Sequence, residues 1–435
     1  MHTVKKDKFV IQGLGGKKTL SGKIAVKGAK NAILPVMASG ILFKDGFTAT
    51  NVPEIEDLGR MAEIFDGLGL QINKQARGKY LINSEGINGA EIDENASKHL
   101  RASVIFTGPL LARQGELIFP HPGGCVIGAR PIDLFLEGFK KMGAAVEIKK
   151  NKYFVKAKNG KLRGAEIFFK IQSVTATETF IMAGVLAKGK TILKNVALEP
   201  EIVDLVNFLN SCGAQIKGAG TPTIEISGGG LLKAKGQIYK TMPDRLETGS
   251  FLILGALCAD NLEICDCNPQ HIEILTEMLK DSGVNLELGK DYIKIINNGG
   301  KPNGHFKSLN IKTREYPGFP TDLQAPLVVY LTQVGGDSFI FETIFEGRLN
   351  YTEDLVKMGA VIKMWDAHRA TVNGPTVLKG RELDGPDIRT GFAFVIAGLV
   401  AKNESIINNV YYIDRGYESI EKRLRQIGAD IKRIN

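Results

Sequence analysis

No stretch of this chain comes near the roughly 20 consecutive apolar residues that a membrane helix requires, so a membrane-spanning protein is not expected. The opening Met1-His2-Thr3-Val4-Lys5-Lys6-Asp7 has no apolar core of the kind a signal peptide carries, and a cytoplasmic location is the expectation. Cysteine is scarce. The five present (Cys125, Cys212, Cys258, Cys265 and Cys267) are too few and too irregular for a disulfide framework. Cys265-Asp266-Cys267 has the wrong spacing for a zinc knuckle and reads as structural, so neither a metal nor a cofactor is expected. Also missing are a Ser-His-Asp ordering, a P-loop and a dinucleotide fingerprint. Gly13-Leu14-Gly15-Gly16 precedes Lys17-Lys18 without the third glycine and helix, and reads as a turn. The net charge of +9 suits an acidic small molecule or nucleic acid. Its lysines and arginines are spread along the whole chain, with no basic tail and no aromatic interleaving, so nucleic acid is the weaker reading.

What the chain does have is length and internal repetition. At 435 residues two or three domains are expected. A small-residue turn followed by a strand-like run recurs at Leu68-Gly69-Leu70, Met142-Gly143-Ala144, Cys212-Gly213-Ala214, Ser282-Gly283-Val284, Met358-Gly359-Ala360 and Ile427-Gly428-Ala429. The spacing stays near ~70 residues, the mark of a repeated supersecondary unit. Each unit reads as a strand, a strongly apolar helix, a strand, an amphipathic helix and one or two closing strands. The apolar helices fall at residues 32–43, 102–112, 180–187, 251–259, 325–331 and 392–401. The amphipathic ones include 57–68, 201–212, 271–282 and 417–427. A helix apolar on all sides must be buried, whereas an amphipathic one lies on a surface. Six such units suggest two α/β domains of three, with buried helices surrounded by sheet. A solenoid has no fully buried helix in each repeat.

Two further features point to an anionic ligand. Pro122–Pro131 is a glycine-rich loop that holds Cys125 five residues before Arg130, just ahead of a helix expected near Pro131. A helix start and a nearby cation both favour a thiolate and attract anions. Polar residues also gather at the starts of the buried helices: Lys30-Asn31, Arg101, Thr175, Asp244-Arg245, Thr321-Asp322 and Asp387/Arg389. Capping accounts for the Asp and Thr. It does not account for lysine or arginine, because the helix dipole disfavours cations at that end. Arg348 and Arg415 precede outer helices. A compact polyanion is the expected ligand.

Seven segments together give the chain a family resemblance from Gly22 to its C-terminus. They are Gly28-Ala29-Lys30-Asn31-Ala32, Leu100-Arg101-Ala102-Ser103, Pro122–Pro131, Glu199-Pro200-Glu201-Ile202-Val203-Asp204, Pro243–Gly249, Phe319–Ala325 and Ile413–Glu418. The chain resembles the enolpyruvyl transferases. The resemblance implies a two-domain inside-out α/β barrel of six βαβαββ-type units, three per domain. One domain would be 30–242, carrying the cysteine loop, and the other 1–29 plus 243–435, with the active site in the cleft between them. It implies transfer of the enolpyruvyl group of phosphoenolpyruvate to the 3-hydroxyl of UDP-N-acetylglucosamine, with release of phosphate. By the same resemblance Cys125 is the proton donor to C3, Asp322 the candidate base, and Lys30 and Arg415 are catalytic. Lys30, Arg101, Arg130, Arg348, Arg389 and Arg415 would hold phosphoenolpyruvate. Asn31, Arg101, Pro131, Asp133, Leu134, Phe135, Ser173, Val174, Thr175, Thr321, Asp322 and Ile344 would hold the UDP-sugar.

The departures from the family pattern fall in the nucleotide region. Phe135 stands where many members have histidine, His121 replaces a leucine, and Leu198 replaces an arginine. A lysine that meets the diphosphate falls at Ile171, with Lys170 beside it. On an extended strand Lys170 would face the other way. A transferase with a different acceptor, such as shikimate 3-phosphate, and a catalytically silent UDP-sugar-binding paralogue are the alternatives. Cys125 argues against the first, because the shikimate enzyme lacks the cysteine loop. The full set Lys30, Cys125, Arg130, Asp322 and Arg415 argues against the second.

Overall fold

The computed structural model describes residues 7–121, 132–296, 298 and 305–435. These divide into two compact units. One joins residues 7–27 to the described part of 243–435, and the other covers the described part of 28–242. Each has its own apolar core. In the first it runs from Phe9 and Ile11 through Phe251, Tyr330 and Phe392 to Ile431, and in the second from Ile33 to Tyr239.

The early segment joins the late unit through sheet pairing. Lys8–Gln12 lies antiparallel between Glu404–Asn408 and Ile431–Ile434, with Phe9 opposite Ile407 and Arg433. Leu20–Ala25 runs parallel to Ala259–Cys265. Gly13–Gly16 is a turn, with Gly15 and Gly16 at φ of 62° and 82°.

Among the described residues there are six sheets, five of four strands and one of three. Each four-stranded sheet combines one parallel pair with two antiparallel pairs. Glu166–Phe168, Lys190–Lys194, Thr223–Ser227 and Gln215–Lys217 are one example. The three-stranded sheet (Glu116–Pro120, Lys152–Ala157, Ala144–Lys149) is antiparallel, and an isolated parallel bridge joins Ile118 to Glu91. A parallel pair needs a crossover connection. Of the six apolar helices three supply it directly, as Val174–Leu186 does between Glu166–Phe168 and Lys190–Lys194.

These helices are Lys30–Ser39, Thr107–Gln114, Val174–Leu186, Arg245–Cys258, Gln324–Leu331 and Ile388–Val400. Every residue of Arg245–Cys258 is buried, as the absence of a polar stripe requires. Close packing depends on small residues: a Cβ at Gly108 would lie 2.1 Å from the Thr179 carbonyl oxygen of the neighbouring helix. The expected helix over 102–112 is instead a 3-10 stretch, Arg101–Phe106, followed by Thr107–Gln114. Pro109 has no N–H to offer the Ile105 carbonyl, so one unbroken α-helical ladder cannot run through.

The four amphipathic helices expected above appear as Glu56–Gly67, Pro200–Ser211, Glu273–Ser282 and Ile420–Gln426. The last starts three residues later than the sequence suggests. Ser419 sits at φ 45°, which ends any helix running in from Tyr417. The six turn glycines, Gly69, Gly143, Gly213, Gly283, Gly359 and Gly428, all take φ between 79° and 112°, a region that side chains with a Cβ resist. No helix among the described residues is long and apolar enough to cross a membrane.

Candidate active site

The late unit gathers its polar residues where three buried helices begin. Asp244 caps Arg245–Cys258 by accepting from the backbone N–H of Leu246 and Glu247. Asp387 caps Ile388–Val400 by accepting from Arg389 and Thr390. The third helix, Gln324–Leu331, is entered through the 3-10 turn Thr321–Leu323, which carries Asp322.

Two arginines meet at that carboxylate. Arg389 donates from Nε to Asp322 Oδ1 at 3.0 Å, and Arg348 lies 3.4 Å from the same oxygen. Arg348 also donates to the Thr321 carbonyl at 3.2 and 3.3 Å and approaches Asp387 at 3.8 Å. Arg389 donates from Nη1 to the Tyr417 hydroxyl at 3.3 Å. Burial by itself would raise the Asp322 pKa, but Arg389 and then Arg348 outweigh it and hold the carboxyl well below the usual range. Burial likewise opposes the Arg389 charge, and Tyr417 and Asp322 more than restore it.

Behind this cluster stands Glu342, fully buried. It accepts from Thr321 Oγ1 at 3.0 Å and from the backbone N–H of Ile344 and Phe345 at 2.8 and 3.2 Å. One carboxylate thus ties the Thr321–Asp322 turn to the Ile344–Arg348 loop. Tyr417 stacks on Phe392 with ring centroids 4.4 Å apart and shares a hydrogen bond with Ser250. Arg245 lies over the Tyr316 ring, 5.5 Å from its centroid. Arg415 follows the short helix Val410–Asp414 and is half-buried.

In the early unit, Lys30 opens its helix behind Ala29, which provides no side-chain cap. Its ammonium pairs with Asp57 at 2.5 Å, and the Asp57 side chain is almost wholly buried. The cation that capping rules leave unexplained therefore has an internal counter-ion. Asn31 follows in the same first turn, and Arg101 starts its 3-10 stretch half-buried. Ser173 caps Val174–Leu186 by accepting from the Ala176 N–H at 3.2 Å, with Val174 and Thr175 in the first turn. The helix expected near Pro131 begins at Asp133, which is exposed, with Leu134 half-buried. Phe135 turns into the core, its ring 6.3 Å from that of Phe180. Cys125, Arg130 and Pro131 lie outside the described residues.

Lys170 and Ile171 sit in a bend beyond the strand Glu166–Phe168, so strand alternation does not govern which way they face. Ile171 is 74% exposed, and Lys170 approaches Glu137 at 3.8 Å. His121 bonds through Nδ1 to the Tyr153 hydroxyl, and Leu198 is half-buried. Beneath the Glu199-Pro200-Glu201 helix start, burial pushes the Glu178 carboxyl up, with Glu201 and Glu199 adding to the effect.

Residue-by-residue reading misses Asp57, Glu342, Tyr417 and Glu178. An acid in the first turn of an amphipathic helix looks like an ordinary dipole partner, which hides Asp57. Glu342 follows a strand and Glu178 lies within an apolar helix, and no local pattern marks either.

The family follows from comparison with known proteins. Residues 14–424 match the family model described as EPSP synthase (3-phosphoshikimate 1-carboxyvinyltransferase). This chain belongs to that family, the enolpyruvyl transferases. More particularly, it is 39% identical over 429 residues to a UDP-N-acetylglucosamine 1-carboxyvinyltransferase of Shewanella piezotolerans, spanning 98% of this chain and 100% of that one. The same identity holds with the correspondingly named protein of Shewanella pealeana. Among solved structures, the enolpyruvyl transferase NikO from Streptomyces tendae matches with a TM-score of 0.86 at 21% identity, covering 98% of this chain and 99% of that one. EPSP synthase from Acinetobacter baumannii matches with a TM-score of 0.73 at 18% identity, covering 99% and 100%. At those identities the likeness establishes the mixed α/β fold.

Proposed function

We propose that this protein transfers the enolpyruvyl group of phosphoenolpyruvate to the 3-hydroxyl of UDP-N-acetylglucosamine in the cytoplasm, the committing step of peptidoglycan synthesis. The observation that carries the proposal is 39% identity along 98% of the chain to relatives named for that reaction. The family model is described by the shikimate reaction, but the Pro122–Pro131 motif favours the sugar-nucleotide acceptor. The same reading takes the chain as six βαβαββ units in two inside-out barrels, 30–242 and 1–29 plus 243–435.

In this mechanism the Cys125 thiol protonates C3 of phosphoenolpyruvate, leaving a cationic centre at C2. The sugar hydroxyl oxygen bonds to C2 as its proton passes to Asp322. The tetrahedral adduct then returns a C3 proton to the thiolate while the C2–O bond to phosphate breaks. The double bond is restored, and the leaving phosphate takes up the proton held on Asp322, so both acid and base are returned to their starting states. Lys30, Arg101, Arg130, Arg348, Arg389 and Arg415 offset the substrate's carboxylate and phosphate charges, the role expected of pre-oriented cations. Asn31 and the helix starts at Asp133 and Ser173 hold the sugar nucleotide.

The test is thiol alkylation. Fosfomycin is an epoxide analogue of phosphoenolpyruvate. The Cys125 thiolate should open its ring, forming a C–S bond while the ring oxygen takes up a proton. Mass spectrometry should locate the adduct on Cys125, forming faster when UDP-N-acetylglucosamine is present. Labelling that ignores the sugar nucleotide would contradict the proposal.

A further inference from the structure

We propose that Asp322 is the resident counter-ion of Arg348 and Arg389, and that the anionic substrate exchanges with it for the two arginines, turning Asp322 into a base. This rests on the reading that phosphoenolpyruvate is the anion and Asp322 the base.

Three observations and one chemical argument support the exchange. Both arginines are buried, with side chains 2% and 7% exposed, while Asp322 is 38% exposed and so can be reached from solvent. A buried guanidinium needs a negative partner at all times, because an unpaired buried charge is strongly disfavoured. Next, both contacts converge on a single oxygen, Oδ1, one of them at 3.4 Å. That is far from the two-pronged geometry of a strong arginine–carboxylate pair. A carboxylate or phosphate substrate has several oxygens to offer the same two forks.

The third observation concerns the neighbouring acids. Asp244 and Asp387 cap helices, and Glu342 holds Ile344 and Phe345, all through backbone N–H groups. Among the described residues Asp322 makes no such bond; its partners are the arginines alone, so it can let go without unravelling a helix. Among the described residues, Arg245, Tyr417 and Tyr351 also face this cluster. Lastly, a carboxylate held by two cations is a poor proton acceptor. Removing the cations to a substrate raises its basicity at the moment a hydroxyl must be deprotonated.

The experiment is calorimetric titration with inorganic phosphate near neutral pH. If Asp322 competes for the site, its occupancy weakens apparent anion affinity. Asp322→Asn should then bind phosphate about five-fold to ten-fold more tightly than wild type, the scale of one partly exposed ion pair. Arg389→Gln should bind it more weakly. Asp244→Asn removes an equal charge nearby while asparagine still caps the helix, and should tighten binding clearly less. Equal or weaker binding by Asp322→Asn overturns the exchange, and so does equal tightening by Asp244→Asn. If Asp322→Asn lowers the melting temperature, phosphate should raise it by more than it raises wild type, and no larger gain would again overturn the proposal. Turnover by wild type tests the reaction itself, so failure of one idea leaves the other decidable.

Discussion

Replacing Asp322 with asparagine should lower kcat by roughly 10²–10⁴-fold, the usual contribution of a positioned general base. The variant keeps the size and hydrogen-bonding reach of the side chain but cannot take the hydroxyl proton. Arg348 and Arg389 remain, and on the exchange argument they meet the substrate with less competition. The loss should therefore appear in kcat, with KM for phosphoenolpyruvate unchanged or lower. The pH dependence follows from the same contacts. A carboxyl held below its ordinary range contributes stability that is fully present above that range and is lost as the pH falls from there through the lowered folded-state value. Asp322 should accordingly stay ionised above about pH 5, and any acidic limb of kcat/KM at higher pH should survive in Asp322→Asn. A variant with intact kcat and a raised KM would show that Asp322 only binds.

The largest stability effect should come from Glu247→Ala. Glu247 lies in the first turn of the fully buried helix Arg245–Cys258 and meets Arg423 through two parallel bonds, at 2.6 and 2.9 Å. Its side chain is 2% exposed and that of Arg423 10%. Glu247 also accepts from the Lys27 N–H at 2.8 Å, fastening the early segment to the late unit. The Arg423 guanidinium lies over the Phe251 ring, 4.9 Å from its centroid. Truncating the acid strands this arginine in the core, which costs about 3–5 kcal/mol when a buried pair loses one member. Urea unfolding followed by circular dichroism should show that loss in the late unit. A loss under about 1 kcal/mol, the value of a surface pair, would mean that Arg423 finds water or another acid.

Much of this architecture is visible in the chain because burial leaves a local signature. The stretch from Leu246 to Cys258 and that from Phe392 to Val400 have no polar stripe, so they must be enclosed. Glycines such as Gly283 and Gly359 end helices where only a residue without Cβ is comfortable. Tyr417 shows the limit of that reading. The apolar pattern continues a helix back to it, yet Ser419 breaks the helix and Tyr417 serves instead as a stacked partner for Phe392 and an acceptor for Arg389. Cations at helix starts stand out as unexplained, but their partners do not. Asp57 is far along the chain from Lys30, and Asp322 is farther still from Arg389. Such pairs are made by tertiary packing, and the sequence shows only that something must meet the charge. Glu342 is the most hidden, since its role is to join two loops.

Enolpyruvyl transfer to the sugar nucleotide is decided by release of inorganic phosphate from phosphoenolpyruvate, measured with UDP-N-acetylglucosamine and separately with shikimate 3-phosphate, for wild type and Cys125→Ala. Release by wild type should require UDP-N-acetylglucosamine and collapse in Cys125→Ala. Release with shikimate 3-phosphate instead, or with neither acceptor, would contradict that transfer.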